Sequence, residues 1–139
     1  MAIAYTKTAF PKIEEKLLKV INDEFPSIYI SSDYVAQPTD ESIRIHLSSS
    51  EDVLTTSVFE RRIFNIEIVH YYLDKDSIHR TEYVRNRCDR LKKLLNSNRN
   101  ISGYWFDLQI PSIEYDIETD IENLSVTQLS VTLENHDSL

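Results

Sequence analysis

The sequence predicts an α+β domain in which two helices pack on one face of an antiparallel or mixed β-sheet, in the order α-β-β-β-α-β-β. Two stretches carry apolar residues at helical spacing: Ile13, Leu17, Val20 and Ile21, and later Val84, Cys88, Leu91 and Leu95. Between and after them, apolar and polar residues alternate with the period of two that marks strands. The 139 residues, 41% apolar and 27% charged, suffice for one core and one domain over 1–139.

The first helix is expected from Thr8 to Glu24. Pro11 suits its first turn, Glu14 and Glu15 suit the positive end of its dipole, and Pro26 stops it. A short strand follows from Ser27 to Asp33, with Ile28 and Ile30 alternating, and a polar loop around Gln37–Asp40 leads to a strand over Ser42–Leu47. Residues 48–57 lack periodicity and read as a long, mobile hairpin loop. Glu60–Leu73 reads as a long strand with Phe64, Ile66, Ile68 and Tyr72 on one face and Ile63, Val69 and Tyr71 on the other. Apolar residues on both faces suggest a central strand, or one covered by a neighbouring subunit.

The second helix is expected over Ser77–Asn96, capped by Asp76 or Ser77. Two strands close the chain, Tyr104–Glu118 and Leu124–Leu133, turning at Ile121-Glu122-Asn123. Leu129, Val131 and Leu133 alternate cleanly, while Leu124 and Val126 sit in the opposite phase and call for a bulge or a two-sided strand. Only 135–139 reads as a free tail.

Composition removes several function classes. Gly103 is the only glycine, whereas Walker and Rossmann phosphate loops each need several. Cys88 is the only cysteine, so neither an internal disulfide nor a multi-cysteine zinc site can form. No apolar run approaches the ~20 residues that span a bilayer, and the N-terminal stretch lacks a signal-peptide layout, so neither a membrane partner nor export is expected. Charge is unevenly spread within a net −8: Ser77–Arg99 holds seven bases against two acids, whereas 107–139 holds eight acids and no Lys or Arg.

No catalytic constellation is legible. His46, His70, His79 and His136 form no HExxH; His46 and His70 could become cross-strand neighbours, though strand histidines are mostly half-buried residues without a ligand. Cys88 lies within an apolar stripe and reads as a small buried hydrophobe. The stretch EYDIETDIE places Glu114, Asp116, Glu118, Asp120 and Glu122 at alternate positions, on one face of an extended chain. Same-face neighbours on a strand lie about 6.5–7 Å apart. A Ca²⁺ or Mg²⁺ ion needs oxygens converging at about 2.0–2.6 Å, so this spacing disfavours a metal site and a metal-dependent hydrolase. The remaining readings are a solvated hairpin face and a functional negative surface. Arg80, Arg85, Arg87, Arg90, Lys92 and Lys93 on the second helix surround its apolar stripe instead of clustering. With a pI near 4.9, they suit a solvated helix or a protein contact better than nucleic acid.

The element order, the stretch RIFNIEIVHYY (62–72) and the stretch SIEYDIETDIENLSVTQLSVTL (112–133) resemble the tail terminator, or tail completion, proteins of long-tailed bacteriophages. The resemblance covers nearly the whole chain as pattern and order, without an invariant motif, and neck, head-completion and minor tail proteins share the layout. It implies a structural virion protein of the tail and neck region, assembled in the host cytoplasm, with neither enzyme activity nor cofactor. Such proteins form a ring, typically a hexamer, that caps the tail tube, ends its polymerisation and offers the head–tail joining surface. Its partners are then copies of itself, the tube protein and connector proteins, while DNA passes its channel without specific binding. On this reading the acids Glu114–Glu122 face a neighbour or line the channel, and the bases Arg80–Lys93 form the opposing inter-subunit face. The expected loop Ser48, Ser49, Ser50, Glu51, Asp52, Val53 and Leu54 becomes the part that docks on the tube. An unrelated protein–protein adaptor is the reading from another class.

Overall fold

A computed structural model describes residues 9–32, 40–56 and 59–138. Helix α1 (Ala9–Glu24) buries Ala9, Ile13, Leu17 and Ile21, four positions spaced by one turn each. Val20 is only half-buried, and no acid occupies the first turn, so Glu14 and Glu15 fall too far along the helix to cap its dipole as expected. Thr8 and the expected loop positions Gln37, Pro38 and Thr39 lie outside the described residues.

Five strands follow: β1 (Tyr29–Ser32), β2 (Glu41–Thr55), β3 (Phe59–Leu73), β4 (Phe106–Glu114) and β5 (Leu124–Ser138), with helix α2 (Ser77–Ser97) between β3 and β4. Their spatial order is β1-β2-β3-β5-β4. Only β1–β2 is parallel; β2–β3, β3–β5 and β4–β5 are antiparallel, so the sheet is mixed and the α+β expectation with its element order holds. β3 lies at the centre, which accounts for apolar residues on both its faces.

One core fills the space between helices and sheet. Ile43 and Ile45 of β2, Phe64, Ile66 and Ile68 of β3, and Leu129, Val131 and Leu133 of β5 meet the buried residues of both helices. Trp105 and Leu108 close it at the β4 side. Trp105 is fully buried, and its indole N–H donates to the Asn98 carbonyl at 2.8 Å, satisfying its one polar atom at the end of α2. Asp76 caps α2, accepting from the amides of Ile78 and His79 at 3.0 and 3.2 Å.

Two expectations are corrected, and one open alternative is decided. Residues 48–55 are not a loop: β2 continues through them, paired with β3 from Ser49↔Asn65 to Thr55↔Glu60, with two register shifts. Of the expected loop, Ser57 lies outside the described residues. The expected tail is also strand, since Asn135 pairs with Arg62 and β5 runs to Ser138, with Leu139 outside the described residues. The β3–β5 register is unbroken, so β5 is two-sided and not bulged; Val126, opposite Tyr71, points away from the helices and is buried. The irregularity sits in β4, where Asp107 has a φ of 51° and the register slips on both sides of Gln109.

Candidate interaction surfaces

The acidic segment is not a strand. β4 ends at Glu114, opposite Gln128, and the chain then leaves the extended conformation because Asp116 adopts a φ of 54°. The loop stays tied to the sheet through the Ile117 amide, which donates to Val126 O at 3.0 Å, and through Asp74 N, which donates to Asn123 O at 3.1 Å. Asn123, at a φ of 64°, turns the chain into β5. Glu114, Asp116, Glu118, Asp120 and Glu122 are all exposed. None of their carboxylates has a hydrogen bond or ion pair with a described residue, and no three His, Cys, Asp or Glu side chains among the described residues converge as metal ligands.

The bases of α2 divide into two sets. Arg80 donates to Ser125 Oγ at 3.1 Å and to the Asp74 carbonyl. Arg87 donates to Tyr83 Oη at 2.8 Å and lies 3.5 Å from Glu41, and Arg90 pairs with Glu24 at 2.8 Å while covering the Phe25 ring. These three fasten α2 to the rest of the domain. Arg85, Lys92 and Lys93 are exposed and form no ion pair with a described residue. The basic face expected from Arg80 to Lys93 is therefore only half available to a partner.

Ser48 to Leu54 lie exposed in the outer half of β2. β1 pairs with β2 only from Ser42 to Ile45, so among the described strands this outer half is a sheet edge. Arg62 donates to Ser50 Oγ at 2.6 Å and Asn65 to Ser49 Oγ at 2.9 Å, bonds that hold the segment to β3. Val53 and Leu54 remain 45% and 49% exposed.

His46 and His70 do not become cross-strand neighbours, because the register sets Ile43 against His70 and His46 against Glu67. His70 instead belongs to a cluster that sequence reasoning missed. Its Nε2 lies 2.7 Å from Glu41 Oε2, and Tyr83 donates to the other carboxylate oxygen at 2.6 Å. Burial alone would raise the Glu41 pKa, yet the hydrogen bonds from His70 and Tyr83, with the charges of His70 and Arg87, hold it below the ordinary carboxylate value. Tyr83 stacks on Tyr72 at 4.1 Å. With the His70 side chain 2% exposed and Glu41 12%, the group is closed to a substrate and acts as a staple. Cys88, nearby on α2, is fully buried, and burial pushes its thiol up to about 11, which is no nucleophile.

No family model and no curated protein matches this sequence. Among the solved structures similar to this chain, one aligns over 98% of it and 97% of its own length, at 15% identity and a TM-score of 0.49, a likeness too distant to speak for function.

A second feature missed from the sequence is a groove along α1, lined by Lys12, Glu15, Lys16, Lys19, Gly103 and Tyr104. The three lysines recur at i, i+4 and i+7, a spacing that puts them on one helix face and was legible. The approach of the turn at Gly103 and Tyr104, far along the chain, was not.

Proposed function

We propose that this chain is a ring-forming structural protein of the tail-terminator type, which caps a phage tail tube, ends its growth and leaves an axial channel for DNA. The observation that carries this reading is the exposed run of acids from Glu114 to Glu122, whose carboxylates have no partner among the described residues, in a chain of net charge −8. Five carboxylates within nine residues repel one another, and a solvated loop gains nothing from that repulsion. A cyclic assembly gives it a use, because heterologous contacts bring one face of a subunit against a different face of the next. The acids then face a neighbour's bases, or they line the channel and keep DNA from adhering.

The two placements separate on one variant. Asp116→Lys with Glu118→Lys abolishes ring assembly at moderate salt in the first, and leaves rings intact but slows DNA passage in the second. The function itself is tested by adding the protein to polymerising tail tubes. Growth should stop, with a ring of about six subunits at the tube end seen by electron microscopy. Tubes that lengthen unchanged in its presence overturn the reading.

A further inference from the structure

The groove along α1 has a volume of about 770 Å³ and one carboxylate, Glu15, among its three lysines. Lys16 holds its ammonium 5.3 Å above the Tyr104 ring, and none of the three lysines forms an ion pair with a described residue. Lysine stems and the Tyr104 ring give the groove apolar walls beneath a positive rim. Such a surface fits an acidic peptide segment that also carries apolar side chains.

The 114–122 segment has that chemistry. It interleaves its five carboxylates with Tyr115, 42% exposed, and Ile121, 51% exposed. Within one subunit the two surfaces cannot meet. Tyr104 is fixed near one end of the sheet, where its carbonyl accepts from Asn135 Nδ2 at 2.7 Å and Asn135 pairs with Arg62 of β3. The acidic loop is fixed at the other end, where Asn123 O accepts from Asp74, the residue after β3. Along β3, Arg62 lies roughly 23 Å from Val69, the register position at which the segment starts at Glu114, and roughly 40 Å from Asp74, where it ends, at ~3.3 Å per residue.

The bases of α2 are the weaker partner for a neighbour. Three of them are engaged within the subunit, and Arg85 lies within electrostatic reach of Tyr115, at the same end as its own acids. We infer that the lysine groove of α1 and Tyr104 receives the 114–122 segment of a second copy of this chain, head to tail. This contact deepens the ring reading and rests on its self-association, but not on a place in a phage tail.

Because the contact is heterologous, neutralising either side has a signature that a symmetric dimer lacks. Lys12→Ser with Lys16→Ser removes the groove's charge, and Asp116→Asn with Glu118→Gln removes the segment's. All four side chains reach solvent and circular dichroism melting checks that both variants fold. Light scattering coupled to size exclusion should show each variant alone as a monomer under conditions where the wild-type chain assembles. An equimolar mixture should stop at dimers, since only one productive contact remains per pair. Wild-type assembly by either variant overturns the contact while leaving ring formation standing, whereas a monomeric wild-type chain at all concentrations removes both. A double-stranded oligonucleotide that binds the wild-type chain and not the lysine variant, with self-assembly unchanged, assigns the groove to nucleic acid and overturns the inference.

Discussion

At Glu41, one carboxylate joins the start of β2 to His70 on β3 and to Tyr83 and Arg87 on α2. The pair with His70 is nearly closed to solvent, so each hydrogen bond to the charged oxygens counts more than a surface pair. Glu41→Gln keeps the shape and removes the charge, and should lower unfolding free energy by about 2 kcal/mol, as for a lost charged hydrogen bond. Because the folded-state pKa of Glu41 lies below the ordinary 4.5, its contribution is fully present above that value. It is lost as pH falls through the lowered folded value. Urea denaturation of both chains across the acid range should therefore show the gap between them closing in acid. A gap that persists at the lowest pH would falsify the charge-based account and leave only packing.

At the scale of elements, burial decided what could be read from the sequence. α2 was legible because Val84, Cys88, Leu91 and Leu95 form one fully buried stripe at helical spacing. The inner half of β3 was legible for the same reason at a period of two. The outer half of β2 was not, since residues 48–55 are exposed on both faces and carry no alternation. Its strand character comes from the β3 backbone, which needs a partner whatever side chains it meets. The acidic segment errs in the other direction, for its alternation is clean and yet Tyr115 and Ile121 stay exposed and Asp116 turns left-handed. A period without a buried face did not make a strand. Hydrogen exchange separates these two elements: amides of 48–55 that point toward β3 should be protected and their edge-facing neighbours not. Uniformly fast exchange from 48 to 55 would restore the mobile loop that the lack of periodicity suggested.

At the scale of the molecule, the helices cover one face of the sheet, and charge divides along its length. The acids of 114–122 sit at the end marked by Asp74, and Lys12 and Lys16 run beside Tyr104 at the end marked by Arg62. The other sheet face carries apolar Val69 and Val126 among polar residues such as Gln128, Ser130 and Thr132, and it offers a competing route to association. The two routes respond oppositely to salt. A contact between exposed opposite charges weakens as the screening length falls from about 10 Å at 0.1 M to about 3 Å at 1 M. Burial of apolar surface does not weaken in this way, and sulfate strengthens it. For a chain of net charge −8, screening also relieves repulsion between copies, which favours the apolar route further. The mass of the assembly, followed by sedimentation from low to molar sodium chloride, should therefore fall if the lysine groove holds the acidic segment. A mass that rises with salt, and rises more in sulfate, would place the contact on the open sheet face, with the charged ends serving only to orient approaching copies.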